Sequence, residues 1–233
     1  MKNCLLSIDW DYFIHSPLYS WGIYLENEKN LIDIWYKRYI QAKARGEDLQ
    51  NAFWLSPELN TFWHKIKKRF KFVQDIKVYV SDSHALSYKI AIAHSCKTVF
   101  MFDSHADLGY GGLSSLEFEV NCSNWLGKLL KNQHIKAANI IYGPYAEETA
   151  EQFSSLNRIY NIKYPSLKDL NQTVTISALH ICRSGAWTPP WMDDEFFNFI
   201  NALDLPYKIT NCSHRNWDVT NLTLSDRINY LLA

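Results

Sequence analysis

Neither sign of charge predominates in this chain: 24 Lys and Arg stand against 24 Asp and Glu, for a formal net charge of zero. That balance argues against the basic field of a nucleic-acid binder and against an interaction tail of like charges. Cysteine is sparse. Its five residues (Cys4, Cys96, Cys122, Cys182, Cys212) are scattered, odd in number and never spaced as CxxC, so neither a disulfide framework nor a thiolate zinc site is expected. No stretch approaches the ~20 apolar residues of a membrane span. There is no repeat, low-complexity segment or linker. The opening "MKNCLLSIDWDYF" interrupts its short apolar run with acids, unlike a signal peptide. Together these absences predict a soluble protein of the reducing cytoplasm, one domain over 1–233, with no nucleic-acid or membrane partner.

What is present is a supply of apolar and aromatic residues: 47% of the chain is hydrophobic, including nine Trp, fourteen Tyr and twelve Phe. That is enough for a sizeable core, and the aromatics could also line a groove for an extended ligand. Short apolar runs at 3–9, 76–82, 98–104, 138–143 and 175–182 read as strands, several of them hydrophobic throughout, as in a sheet covered on both faces. Helical patterns lie between them at 25–46, 56–70, 85–95, 123–133 and 194–203. The second of these has Ser56 as an N-cap and Pro57 at the first helical position. The alternation predicts an α/β fold with a largely parallel sheet, where ligands bind at the carboxyl ends of the strands.

The polar residues gather at those ends. In "VFMFDSHADLGY" (99–110), Asp103, His105 and Asp107 alternate, so an extended backbone would point them the same way. Two carboxylates and an imidazole suit Mn²⁺, Mg²⁺, Zn²⁺ or Fe²⁺, although a solvated strand-to-loop turn would look the same. "LLSIDWDYF" (5–13) offers Asp9 and Asp11, which would repel unless something positive sits between them; a capping role is the plainer reading. "VYVSDSHALSY" (78–88) places His84 between a strand and a helix, where Asp82 or Ser83 could simply cap. Each motif alone has an ordinary explanation. Six such groups at three strand ends are enough for two metals with bridging carboxylates.

These residues resemble the arginase and deacetylase superfamily, the ureohydrolases, whose histidine, DAHxD and SxDxD motifs find counterparts in "SDSHALSY", "FDSHAD" and "SIDWD". The order here is circularly permuted, with SIDWD first. The resemblance implies a three-layer α/β/α sandwich and two Mn²⁺. His84, Asp103, Asp107 and Asp9 would surround one ion, and His105, Asp11, Asp103 and Asp9 the other, with Asp103 and Asp9 bridging. Asp103 and Asp107 would be catalytic, Asp107 orienting the attacking hydroxide and relaying its proton.

"NCSNWLGKLL" (121–130) and "ICRSGAWTPPWMDDEFFNFI" (181–200) are similar to a divergent arginase-like branch that includes the peptide arginases, which convert arginine side chains of ribosomally made peptides to ornithine. The resemblance therefore implies an arginine-containing precursor peptide as substrate, with Asn124, Arg183, Ser184, Trp187 and Asp194 as candidate contacts. Asp193, Glu117 and Glu119 are further carboxylates for the guanidinium. Two departures matter. The family's catalytic histidine in its SGNxHG-like element falls here on Leu126, and the segment that grips a free amino acid is replaced by "LGYGGLSSLEFEV". The residues leave other readings open: Asn124 as a helix cap, Trp125 as core, and the WTPPW loop as packing. An amidohydrolase or deacetylase, a ureohydrolase for a small free guanidine, and a non-catalytic binding relative are the competing functions.

Overall fold

The computed structural model describes residues 3–16, 31–170 and 173–232. In chain order the elements are β1 (Cys4–Asp9), β2 (Ile14–His15), α1 (Leu31–Ala44), β3 (Trp54–Leu55), α2 (Phe62–Arg69), β4 (Phe70–Ser81), α3 (Leu86–Ala93), β5 (Thr98–Asp103), α4 (Trp125–Lys131), β6 (Ala137–Tyr142), α5 (Ser154–Asn157), β7 (Ile162–Lys163), β8 (Val174–Cys182), α6 (Asp193–Asn201), β9 (Tyr207–Thr210) and α7 (Leu224–Leu232). Seven strands form one sheet in the order β7-β6-β5-β1-β8-β4-β9. Every pairing within it is parallel, and helices cover both faces to give a three-layer α/β/α sandwich. β2 and β3 pair separately as a short antiparallel ribbon.

The central strand shows why the sheet is buried on both sides. Along β1, Cys4, Leu6 and Ile8 enter one core with Phe62 of α2 and Phe196 and Phe199 of α6. Leu5 enters the other core with Ile90 of α3 and Leu126 and Leu129 of α4. Alternate side chains leave opposite faces of a strand, so one apolar run serves two cores. Ser7 occupies the α3 side and is fully buried; its polar neighbours belong to the site below.

All five expected strands are present. β4 begins earlier than expected, because α2 ends at Arg69 and the Phe70 N–H closes the last turn onto Ile66 before the chain extends. The helix expected over 56–70 starts as a 3₁₀ turn, Pro57–Thr61, with Ser56 accepting from the Glu58 N–H. The expected helix over 25–46 is seen as α1; its first residues, 25–30, lie outside the described residues. Strands β7 and β9 and helix α7 have no counterpart in the sequence reading. β7 is two residues long and β9 is largely exposed, so neither makes a continuous apolar run. No helix among the described residues is long and apolar enough to cross a membrane.

Candidate metal centre

β1 and β5 are neighbours, so their carboxyl ends bring Asp9 and Asp103 together. The chain turns at once after β1 into a 3₁₀ turn, Trp10–Phe13, in which the Asp9 side chain accepts the Asp11 N–H at 3.1 Å. The same local device follows β5, where Asp103 Oδ1 accepts the His105 N–H at 2.8 Å. The two turns are tied to each other: Ser104 donates its N–H to Asp11 Oδ1 at 3.2 Å and its hydroxyl to the Asp11 carbonyl at 3.0 Å. His84 arrives from the loop between β4 and α3.

The six groups converge. His84 Nδ1 lies 2.8 Å from Asp107 Oδ2, 3.0 Å from Asp103 Oδ2 and 3.2 Å from Asp9 Oδ2. His105 Nδ1 lies 2.8 Å from Asp11 Oδ2 and 3.6 Å from Asp103 Oδ1. Asp103 thus shows one oxygen to each imidazole. Two ligand sets result, Asp9–His84–Asp103 and Asp11–Asp103–His105, and each can hold a metal ion. Asp103 is common to both. Asp9 falls in the first set only, its oxygens also engaged by the Asp11 N–H and the Ser184 hydroxyl.

Four buried carboxylates against two imidazoles leave the cluster short of positive charge. Burial pushes the Asp103 carboxyl up to about 7, and Asp11 and Asp107 push the same way. Burial, then Asp11 and Asp103, holds Asp9 well above its usual range. Desolvation alone would depress His84, but Asp103, Asp107 and Asp9 outweigh it and hold its pKa well above the ordinary imidazole value. Buried, His84 Nδ1 and Asp103 Oδ2 have no hydrogen-bond partner although they are 3.0 Å apart. Proximity without hydrogen-bond geometry is what two atoms aimed at a common cation show.

A buried hydrogen-bond chain sets which nitrogen of His84 faces the carboxylates. His84 Nε2 meets Ser7 Oγ at 2.7 Å, Ser7 meets Ser87 Oγ at 2.7 Å, and Ser87 meets His180 Nδ1 at 2.6 Å. His180 Nε2 meets Ser81 Oγ at 2.8 Å, and Ser81 donates to the Ser83 carbonyl at 2.9 Å. That carbonyl can only accept, so each link has one direction. His180 Nε2–H donates to Ser81, Ser87 donates to His180, Ser7 donates to Ser87, and His84 Nε2–H donates to Ser7. Burial, with His84 nearby, keeps His180 neutral, as the chain requires. His84 therefore presents Nδ1 to three carboxylates, where a proton sits in the metal-free protein and a bound cation could take its place.

Two residues in the cluster adopt backbone conformations that L side chains rarely take: Asp107 (φ 51) and Ser184 (φ 52). Such strain persists where surrounding structure imposes it, and each is well held. The Asp107 carbonyl accepts from the Leu126 and Gly127 N–H groups at the start of α4, and its Oδ2 accepts the Trp125 indole N–H at 2.6 Å. Gly127 permits the approach, since a Cβ there would stand 2.5 Å from the Leu108 carbonyl oxygen. Trp125 is fully buried, as a core residue should be, yet its one polar atom serves the site. Leu126, where the resemblance implied a histidine in the family, is buried in the apolar core.

The cluster floors a cleft of about 720 Å³ whose walls include Tyr110, Val120, Asn121, Cys122, Ser123, Ser184 and Trp187. Trp187 stands 6.4 Å from the His105 ring, centroid to centroid. Glu148, which the sequence reading passed over, sits beside the cluster: its Oε2 accepts the Ala106 N–H at 2.8 Å, and its carboxyl, raised mainly by burial, hydrogen-bonds Tyr110.

Other expected contacts lie elsewhere. Arg183 is buried and faces away from the cleft, gripping Asp82 through Nε and Nη2 at 2.9 and 2.6 Å and Asp193 through Nη1 at 2.7 Å. Asp193 is further held by Arg215. Asp194 is exposed and pairs with His214. Glu117 pairs with Lys131 at the surface, and Glu119 is exposed. Asn124 is buried, and its amide bridges Asn121, Glu119 and Ser115; it makes no side-chain cap on α4 and instead braces the loop that walls the cleft. In the WTPPW loop only Trp187 reaches the cleft, while Trp191 packs on Trp35, Phe53 and Trp217.

No family model matches the chain, and neither does any curated protein or solved structure.

Proposed function

We propose that the protein is a dinuclear, manganese-dependent hydrolase of the ureohydrolase kind, converting arginine side chains within a peptide to ornithine and urea. The observation that carries this reading is the buried pair of unpartnered atoms, His84 Nδ1 and Asp103 Oδ2, in a cluster of four carboxylates and two imidazoles. Oxygen and imidazole donors with no thiolate suit hard or borderline divalent cations such as Mn²⁺. Asp9, His84, Asp103 and Asp107 would hold one ion, and Asp11, Asp103 and His105 the other. When bound, such a pair supplies Lewis acidity and a water that is nucleophilic near neutral pH.

The chain's own groups supply the rest. Water adds to the guanidinium carbon, the bond to Nε breaks, and the departing amine takes up a proton. Asp107 is the carboxylate placed to hold and pass that proton, its orientation fixed by the Trp125 N–H. Tyr110 lines the cleft, and Glu148, hydrogen-bonded to it, would be the carboxylate for a planar guanidinium. Trp187 offers an aromatic wall.

The preference for an arginine inside a peptide rests on the cleft's lining. Among the described residues lining it there is no Lys or Arg, so a free α-carboxylate would enter unpaired, whereas amide-flanked arginine carries no such charge. Incubation with Mn²⁺ and arginine-containing peptides should release urea and leave ornithine, detected by mass spectrometry, with free arginine and agmatine the poorer substrates. A protein that binds the metal yet releases urea from none of them would sink the reading.

A further inference from the structure

A second cavity, of about 930 Å³, lies outside the acid–imidazole cluster, at the carboxyl end of β6. Four cations line it (Lys65, Lys68, Arg69 and Lys168) against a single acid, Glu58. Glu58 is already matched, binding Lys65 at 2.7 Å and accepting from the Tyr12 hydroxyl. Lys68, Arg69 and Lys168 enter no salt bridge among the described residues. Asp169, the acid beside Lys168 in the chain, is spent on the Ser166 N–H and hydroxyl. In a chain of zero net charge, three uncompensated cations around one cavity are a local surplus.

Helix geometry explains part of this gathering. Lys65, Lys68 and Arg69 stand at i, i+3 and i+4 and so share one face of α2. Basic residues in a last turn also complement the negative end of the helix, and that is enough for Lys67, which donates to the Leu203 carbonyl at 3.3 Å. It does not account for Lys168, which reaches the same cavity from a different segment of the chain.

The rest of the lining is apolar or aromatic: Ile140, Ile141, Leu167 and the rings of Tyr12, Tyr142 and Tyr164. Burial is graded across it. Lys68 and Lys168 are exposed, Arg69 and Tyr164 half-buried, and Tyr12, Ile140 and Ile141 buried. A charged mouth above an apolar, ring-lined interior fits a ligand with an anionic end and an apolar, flat body. The charge count narrows the anion. A carboxylate would offset one cation, whereas a phosphomonoester carries about −1.5 to −2 and a diphosphate more; the Arg69 guanidinium suits phosphate oxygens in pairs.

We infer that this cavity binds an organic phosphate of the nucleoside diphosphate class. Its phosphates face Lys68, Arg69 and Lys168, and its planar body lies against the tyrosine rings.

Calorimetric titration of the metal-free protein with ADP, adenosine and pyrophosphate tests this without turnover. ADP should bind, and adenosine, which lacks the anion, and pyrophosphate, which lacks the flat body, should each bind at least about tenfold more weakly. The double reversal Lys68→Glu with Lys168→Glu, its fold checked by circular dichroism, should weaken ADP binding about tenfold or more. Lys168→Ala alone, a milder change at an exposed site, should weaken it in the same direction. Asp103→Ala should bind ADP as the wild type does, which separates this cavity from the acid–imidazole cluster. No binding of ADP, equal binding of adenosine, or undiminished binding by the reversed cavity would overturn the proposal. Pyrophosphate binding as tightly as ADP would overturn the role of the rings, and loss of ADP binding in Asp103→Ala would move the ligand to the other site. A failure in any of these leaves the test for urea release untouched.

Discussion

Two clusters of buried charge stand at the carboxyl ends of adjacent strands, and the chain balances them differently. Beyond β4 and β8, Asp82 and Asp193 face Arg183 and Arg215, two carboxylates against two guanidinium groups with bidentate contacts. Beyond β1 and β5, Asp9, Asp11, Asp103 and Asp107 face only His84 and His105. The first cluster is complete within the chain. The second is not, and its deficit has the position and donor chemistry of a metal site. The complete cluster also serves the incomplete one. Asp82 accepts the Gly185 N–H, and Arg215 and the Trp35 indole hold the Gly185 carbonyl. The turn that results sets the Ser184 hydroxyl on Asp9.

The contrast is broken most severely by removing one partner from the balanced cluster. Asp82→Ala removes the bidentate partner of Arg183 and leaves two buried guanidinium groups sharing Asp193, and should cost about 3–5 kcal/mol of stability, read by denaturant unfolding. Asp103→Asn should do the opposite in metal-free protein, leaving stability equal or higher because it relieves like-charge repulsion. If both substitutions destabilise alike, the two clusters are not different in kind.

A smaller effect tests the one-way chain behind His84. Ser7→Ala leaves Nε2–H without its acceptor, and outer partners of metal-binding imidazoles are worth about 10–100-fold in metal affinity. Calorimetric titration with Mn²⁺ should show that loss, and His180→Ala should lower affinity in the same direction. Unchanged affinity in both would mean the chain is packing only. Trp125→Phe keeps the ring but removes the donor to Asp107. A hydrogen bond to a charged group is worth about 1.5–3 kcal/mol, so turnover should fall by about tenfold or more while the fold is retained.

The least dramatic effect is one of pH. Asp103 and Asp9 titrate higher in the folded protein than in the unfolded chain, where an Asp sits near about 3.9. The native state therefore holds protons that the unfolded state has released, and metal-free stability should fall as pH rises from about 4 toward 7. His84, also raised, loses its contribution in the same direction once pH passes its unfolded value. Asp11, lowered chiefly by His105 against the opposing effect of burial, contributes the other way. Mn²⁺ needs deprotonated ligands, so the melting temperatures with and without Mn²⁺ should separate further as pH increases. A gap that narrows would contradict the assignment.

What the sequence made legible follows from distance along the chain. The five core strands were visible as apolar runs, and alternation within each motif placed Asp9, Asp11, Asp103, His105 and Asp107 at strand ends. The partners that orient them were not visible. Trp125 lies 18 residues from Asp107, Glu148 lies 42 from Ala106, and His180 lies 93 from Ser87; only the sheet order brings them together. Arg183 illustrates the reverse error. A cation just past a strand looks the same in sequence whether it faces a ligand or an aspartate 101 residues away, and here it faces the aspartate. Asp194 and its neighbour Asp193 differ only in helical phase, and that phase buries Asp193 while leaving Asp194 in solvent.

The claim on which the rest depends is that Asp103 is the shared ligand of a two-cation site. Mn²⁺ titration of wild-type protein and Asp103→Ala, with bound metal counted after dialysis, addresses it directly. The account predicts two ions per chain in the wild type and loss of both from the variant, with the fold intact. Retention of either ion at wild-type affinity in Asp103→Ala would contradict it.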